Sequence, residues 1–102
     1  MSNNPKEKIT QLDLSYKKLK ELPDLSEYTN LQYLDCSNNN LTELPELPQS
    51  IVILDCENNK LTSLPKELPK SLKKLHCQYN KLPYTDLNGY YEWLATVNTQ
   101  KI

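Results

Sequence analysis

A unit of about 20 residues recurs along this chain. One copy runs from 31 to 47 and reads LQYLDCSNNNLTELPEL. Related copies begin at residues 9, 51 and 72, so that successive units start 22, 20 and 21 residues apart. Each copy opens with an apolar residue, followed by leucine three positions later and by leucine or cysteine two positions after that. A repeat of this period predicts an array of stacked coils rather than a mixed domain.

The opening of each copy alternates apolar and polar residues, as a half-buried strand does. In such a strand the fourth and sixth residues of the copy point to one side, and the third, fifth and seventh point to the other. One coil cannot bury its leucines alone, but stacked coils form a parallel sheet at roughly 4.8 Å per strand with one continuous core. The four copies exceed the minimum of about three for such an array.

An asparagine stands where the chain leaves the strand in the last three copies, at Asn39, Asn59 and Asn80. A buried asparagine there can donate to and accept from the backbone of adjacent coils. We therefore predict a hydrogen-bonded ladder rather than a ligand site. We expect Asn38 and Asn58, one position earlier, to be more exposed.

The segments that return to the next strand differ between copies. In the second and third copies, paired prolines within 44–48 and 64–69 favour extended backbone on the convex side. In the first copy, residues 24–30 predict a helical turn instead. We therefore expect an α/β solenoid with short parallel strands on the concave face and extended or short helical returns on the convex face.

The two ends of the chain depart from the repeat. Residues 1–8 are polar and contain Pro5, which predicts a flexible tail, or a segment along the open edge of the first strand. After the last copy, apolar residues recur at helical spacing behind a candidate N-cap, Thr85. We divide the chain into the tail, four repeats over 9–84 and a helical cap over 85–102.

The predicted cap is amphipathic. Its helical spacing is carried by Leu87, Tyr90, Tyr91, Leu94 and Val97. The last coil of a repeat array needs cover, and these side chains, together with Trp93, supply the apolar area for it. An aromatic ligand pocket is the functional alternative.

Composition narrows the class of protein. A chain of 102 residues with 37% hydrophobic content accommodates one small domain, and the repeats leave no room for a catalytic module. A net charge of -1, from 12 basic residues that are all lysine and 13 acidic ones, argues against a nucleic-acid or membrane surface. We expect the lysine column Lys18, Lys60 and Lys81 to serve solubility.

The first residues, MSNNPKEK, contain no apolar run that could act as a signal peptide, so we expect a cytoplasmic protein. The cysteines of the chain, Cys36, Cys56 and Cys77, are odd in number and follow the repeat, which predicts reduced core thiols. They take the inward position, whereas His76 takes the outward one. Three thiols in a straight column cannot converge on one zinc ion, and buried thiols are poor nucleophiles.

Further catalytic patterns are not recognisable. Neither a Ser-His-Asp set, nor a phosphate-binding loop, nor paired catalytic carboxylates can be assembled from the repeats, and the single glycine, Gly89, lies in the cap. We therefore expect a protein without enzymatic activity, cofactor or metal.

The repeats resemble a known family. Residues 9–82 are similar to the short leucine-rich repeat arrays found in effector proteins of pathogenic bacteria. The phrases LTELPELPQSIVILDCENNKLTSLP and SLKKLHCQYNKLP also resemble leucine-rich repeat proteins of giant DNA viruses and some free-living bacteria. The resemblance implies a solenoid that recognises another protein through its concave sheet.

A partner-binding face can be predicted from the strand alternation. The outward residues that we expect to contact a protein or peptide are Asp13, Tyr33, Asp35, Ile53, Asp55, Glu57, Lys74 and His76. The acidic middle of this face favours a basic partner, with Tyr33 and Ile53 as apolar anchors. The alternatives are a solvated face without a partner and a self-associating or structural module, and we expect a monomer.

Three aspartates share one position of the repeat, namely Asp13, Asp35 and Asp55. Adjacent carboxylates on a parallel sheet lie roughly 5 Å apart and repel by about 1 kcal/mol in water-like dielectric. Exchanging Asp35 and Asp55 for asparagine is then expected to leave the fold as stable or more stable. Hydrogen bonds of these aspartates within the sheet would have the opposite consequence.

Overall fold

A computed structural model describes residues 4–99. Four strands of three residues each form one parallel sheet in the order β1-β2-β3-β4. The strands are β1 (Gln11–Asp13), β2 (Tyr33–Asp35), β3 (Ile53–Asp55) and β4 (Lys74–His76). A 13-residue helix, α1 (Leu87–Thr99), follows the last strand.

The strands pair in the register that the repeat predicts. Leu12 is opposite Leu34, Leu34 is opposite Leu54, and Leu54 is opposite Leu75. Leu34 and Leu54 are fully buried, whereas Leu12, on the open edge of the sheet, is only partly buried. The inward leucines of successive coils therefore form one core, as expected for a solenoid.

The cysteines belong to the same core. Cys36, Cys56 and Cys77 are each at most 1% exposed and form no disulfide. Burial raises the pKa of Cys36 to about 12 and the pKa of Cys77 to about 11. The predicted inward placement of the three cysteine side chains is therefore confirmed.

The asparagine ladder is confirmed as well. The side-chain oxygen of Asn39 accepts from the amides of Lys17 and Leu19 at 3.0 Å, and its nitrogen donates to the carbonyl of Leu14 at 2.9 Å. Asn59 donates to the carbonyls of its own coil and of the preceding one. Asn80 does the same. Each asparagine thus fastens its own coil to the preceding one.

The convex side is built from extended segments and turns. In the first copy, the Tyr28 amide donates to the Leu25 carbonyl at 3.0 Å and the Leu31 amide donates to the Tyr28 carbonyl at 3.2 Å. This copy therefore returns through two successive turns. The later copies return without a helix, and the Ser50 hydroxyl donates to the Leu31 carbonyl of the coil before it.

Residues 4–8 of the predicted tail lie against the first copy. Pro5–Lys8 forms a 3-10 helix capped by the side chain of Asn4. Asn4 also donates to the Glu27 carboxylate at 2.8 Å, and the Asn30 side chain donates to the Glu7 carbonyl at 2.7 Å. These bonds dock residues 4–8 on the return segment of the first copy. The rest of the expected tail, residues 1–3, lies outside the described part.

The C-terminal helix covers the end of the array. Tyr84 and Tyr90 are buried and pack edge to face with ring centroids 5.2 Å apart. The amide of Cys77 donates to the carbonyl of Thr85 at 3.1 Å, so the segment before α1 covers part of the free edge of β4. The predicted N-cap, Thr85, is wrong: Asp86 accepts from the Gly89 amide at 2.8 Å and is the capping residue.

Candidate functional site

The concave face is the outer surface of the four strands. In its middle, Tyr33, Asp35, Ile53 and Asp55 are half-buried, whereas the residues at its two ends are exposed. The exposed ones are Gln11, Asp13, Lys74 and His76. The structure therefore brings part of the predicted binding residues together at the centre and leaves Asp13 and Lys74 at opposite edges.

In the first two copies, the aspartate that ends the strand closes a turn. One oxygen of Asp13 accepts from the amide and the hydroxyl of Ser15 at 2.9 and 2.6 Å. Asp35 accepts from Ser37 in the same way, at 3.0 and 2.6 Å. The hydrogen bonds from Ser15 lower the pKa of Asp13. These aspartates are thus hydrogen-bonded acceptors rather than a column of free repelling charges.

The third copy lacks this arrangement. Glu57 stands where the first two copies have serine, so the third copy has no serine hydroxyl two residues after the aspartate to donate to Asp55. The Oδ1 atom of Asp55 and the Oε2 atom of Glu57 are both buried without a hydrogen-bond partner among the described residues. Buried acceptors without a partner are costly, which makes this the least satisfied place on the face.

Two neighbours partly compensate the charge at this place. The Tyr33 hydroxyl donates to Oδ2 of Asp55 at 2.5 Å. The Nε2 atom of His76 lies 3.8 Å from Oδ1 of Asp55, which is too far for a hydrogen bond but close enough for attraction once the imidazole is protonated. Tyr33, Asp55 and Glu57 at the centre of the face therefore form one cluster with His76 on the neighbouring edge strand.

The local field shifts two pKa values in the same direction. Burial, followed by the charges of Asp55 and Asp35, raises the pKa of Glu57. The hydrogen bond to Asp55 and burial raise the pKa of Tyr33 to about 12. Burial and the charge of Asp55 contribute to both shifts, so negative charge is concentrated here in a poorly solvated place. A cation placed here would relieve it.

Sequence reasoning missed the serines that satisfy the first two aspartates. The signal was present, because Asp-Leu-Ser at 13–15 and Asp-Cys-Ser at 35–37 place a hydroxyl two residues after a carboxylate, a spacing typical of local side-chain to backbone turns. The importance of Glu57 follows only by contrast with these two copies.

The described residues contain neither a metal-binding cluster nor a membrane-spanning helix. Within residues 4–99, no group of three or more His, Cys, Asp or Glu side chains is arranged to hold a metal ion. In the same part of the chain, no helix is long and apolar enough to cross a membrane.

Comparison with known proteins agrees with the geometry. Residues 7–49 match the family model of leucine-rich repeats in two copies. The structure is similar to that of YopM from Yersinia enterocolitica WA-314, with 37% sequence identity and a TM-score of 0.71 over 82% of this chain. The chain is a leucine-rich repeat solenoid.

A second structure supports the same fold. This leucine-rich repeat chain is similar to the leucine-rich repeat domain of a Shigella effector, with 38% sequence identity and a TM-score of 0.69 over 74% of this chain. It spans 18% of the YopM chain and 34% of the Shigella chain. Among curated proteins, no sequence matches it. The predicted resemblance to effector-type repeats is therefore confirmed for the repeat region.

Proposed function

We propose that this leucine-rich repeat protein binds a protein or peptide on its concave face and catalyses no reaction. Leucine-rich repeat domains are commonly protein-interaction modules, and both similar structures contain such repeats. The proposed contact residues are those predicted from the strand alternation, with the centre of the face as the main contribution.

The observation that carries this proposal is the unsatisfied pair at the centre of the face. The inner copies share the same backbone, yet the second satisfies Asp35 with Ser37 and the third leaves atoms of Asp55 and Glu57 without partners. A stable fold alone gains nothing from replacing the serine with a glutamate. A binding site gains from this replacement, because unpaired carboxylates provide hydrogen-bond acceptors that a partner can satisfy.

The chemistry of the pair favours a basic partner. A lysine or arginine side chain of the partner would pair with the two carboxylates, and an arginine can do so through two parallel hydrogen bonds. Tyr33 and Ile53 lie next to the pair on the strands and are half-buried. They supply the apolar contact that the centre of an interface requires.

The proposal also includes the cellular compartment and the oligomeric state of the protein. Three buried cysteines without a disulfide suit a reducing compartment, so we place the protein in the cytoplasm. We also propose a monomer. The alternative, a self-associating module, predicts a molar mass by light scattering that is a multiple of 11.9 kDa.

Selection from a random peptide library displayed on phage tests this function. We expect the immobilised protein to enrich peptides rich in lysine and arginine, and binding to weaken as salt rises. A variant with Asp55→Asn and Glu57→Gln keeps the shape of both side chains and removes both charges. It should lose the basic peptides.

A matched variant separates the centre of the face from its edge. Asp13→Asn removes one acidic charge from the same face but acts on an exposed residue of β1, so we expect it to retain most of the binding. Peptides without a charge preference, or equal binding by the central and edge variants, would contradict the proposed site.

A further inference from the structure

One position of the repeat has left-handed backbone in every copy. It is the second residue after the inward leucine or cysteine, where the chain has just left the strand. Its φ angles lie between 55° and 60° at Tyr16, Asn38, Asn58 and Tyr79. The fold imposes this conformation, because the chain must turn here to reach the ladder residue that follows.

The residue types at this position separate the inner copies from the outer ones. Asparagine is enriched in left-handed backbone, and it is present in the two inner copies. Tyrosine is bulky and disfavoured there, yet it is present in the first and the last copy. The backbone therefore explains Asn38 and Asn58 but not Tyr16 and Tyr79.

Packing does not explain the two tyrosines either. Tyr16 is 77% exposed and Tyr79 is 74% exposed, more than any other exposed large apolar residue in the described part of the chain. A strained backbone that carries an exposed aromatic ring at two equivalent positions is an observation that points to a role outside folding.

The surface around these rings has one sign of charge. The loops that follow the strands, which we call the exit edge, comprise 16–20, 38–42, 58–62 and 79–83. They contain five lysines and no acidic residue, although the chain has 13 acidic residues. All five lysines are exposed, and they are Lys17, Lys18, Lys20, Lys60 and Lys81.

We infer that the exit edge is a second interaction surface, which binds an extended acidic segment of a partner protein between the rings of Tyr16 and Tyr79. The lysines would pair with its carboxylates, and each tyrosine would pack against an apolar or aromatic side chain. This surface is distinct from the concave face, whose centre is acidic.

The geometry sets the length of the segment. Tyr16 and Tyr79 belong to the first and fourth coils, so they are three strand spacings apart, or about 14 Å at 4.8 Å per strand. An extended peptide advances about 3.3–3.6 Å per residue. Two side chains four positions apart in the segment would therefore reach the two rings.

A single-stranded nucleic acid is the rival occupant, because it also combines negative charge with flat rings. The observations favour the acidic peptide. The protein has a net charge of -1 and no arginine. A long polyanion would also be repelled by the acidic concave face beside the exit edge.

The test is a nuclear magnetic resonance titration of the isotope-labelled protein. The probe is an acidic peptide of about nine residues with two tyrosines four positions apart. We expect amide shifts at Tyr16, Asn38, Asn58 and Tyr79 and none at Asp35 or Asp55. A peptide of the same composition with adjacent tyrosines should bind more weakly, and so should an oligothymidylate.

The decisive variant exchanges Tyr16→Asn and Tyr79→Asn, the residue that the inner copies hold. Because asparagine suits the left-handed backbone, the melting temperature should stay equal or rise, while the affinity for the peptide falls at least about tenfold. Tyr91→Gln removes an exposed ring from α1 and should leave the affinity unchanged.

Four results would overturn the inference. They are no binding of the acidic peptide, equal binding by the double variant, tighter binding of the oligothymidylate, and shifts confined to the concave face. If the double variant melts lower than the parent, the two single exchanges and a Lys18→Gln, Lys60→Gln, Lys81→Gln variant decide in its place. If none of these variants changes the affinity for the peptide, the exit edge is likewise excluded as its binding surface.

Discussion

The Tyr33 hydroxyl donates a 2.5 Å hydrogen bond to Oδ2 of Asp55 on the neighbouring strand. In the strand register Tyr33 is opposite Ile53, so the bond reaches diagonally, two residues further along β3. It satisfies one oxygen of a carboxylate whose other oxygen is buried without a partner. Tyr33 thereby holds the central carboxylate of the concave face in place.

The first prediction follows from this bond. Tyr33→Phe leaves a second oxygen of Asp55 without its donor, and we expect a loss of about 1–2 kcal/mol in the free energy of unfolding at pH 7. Urea unfolding measures it. Tyr79→Phe, which removes a hydroxyl from a ring that is 74% exposed, is the control and should change little.

The pH dependence of the same bond has a definite sign. The folded-state pKa of Tyr33 is raised from 10.0 to about 12, so its contribution to stability is complete below about pH 10 and is lost as the pH rises towards 12. The difference between the parent and Tyr33→Phe should shrink over that range. A constant difference would mean that the hydroxyl does not hold Asp55.

The second prediction concerns Glu57. Glu57→Ser restores the turn of the first two copies, in which a serine hydroxyl donates to the aspartate at 2.6 Å. We expect a gain of about 1 kcal/mol in the free energy of unfolding at pH 7 and a loss of binding to basic peptides. Thermal and urea unfolding measure the stability.

The gain should depend on pH. Burial raises the pKa of Glu57 above 4.5 in the folded state, so its favourable contribution is present below pH 4.5 and is lost as the pH rises through the folded-state value. Glu57→Ser should therefore stabilise the protein more at pH 7 than at pH 4. Ser37→Ala, which removes the hydroxyl from the intact turn, should destabilise. Equal stability of the parent and Glu57→Ser at pH 7 would contradict the unsatisfied pair.

The third prediction concerns the cysteine column. Burial raises the pKa of Cys36 and Cys77 to about 12 and about 11, so almost no thiolate is present at pH 8. A disulfide reagent should modify the native protein slowly and the protein in denaturant rapidly, with three equivalents in total. Fast modification of all three thiols in the native state would disprove the inward placement.

The fourth prediction tests the core. Leu54→Ala removes a fully buried side chain between two neighbouring coils and should cost about 2–5 kcal/mol in the free energy of unfolding. Leu12→Ala is the matched exchange at the same repeat position on the open edge, where the side chain is only partly buried. It should cost less. A Leu54 variant as stable as the Leu12 variant would be inconsistent with a continuous core.

The fold could be predicted from the sequence because each structural position of the coil recurs in several copies with the same type of residue. Leucines at fixed spacing determine the inward side of every strand, and Asn39, Asn59 and Asn80 mark the same turn three times. The period also places the cysteines, since Cys36 follows Leu34 as Leu14 follows Leu12. A wrong assignment of inward and outward positions in one copy is therefore detected by comparison with the other copies.

Details outside the repeat could not be predicted in this way. Thr85 and Asp86 are both good capping residues, and only the helix geometry selects Asp86. The docking of residues 4–8 depends on Glu27, which is distant in sequence. The bond from Tyr33 to Asp55 depends on the twist of the sheet and on the side-chain rotamer. The strand alternation predicts that both residues lie on one face, but it does not predict that their polar atoms form a hydrogen bond.

We propose above that the middle of the concave face binds a basic segment of a partner. The most direct measurement is a map of amide shifts in the isotope-labelled protein on addition of a selected basic peptide. We expect the largest shifts at Tyr33, Asp55, Glu57 and His76, and we expect these shifts to be lost in the Asp55→Asn, Glu57→Gln variant. Shifts confined to the convex returns at 44–48 and 64–69, or shifts that persist in the variant, would contradict it.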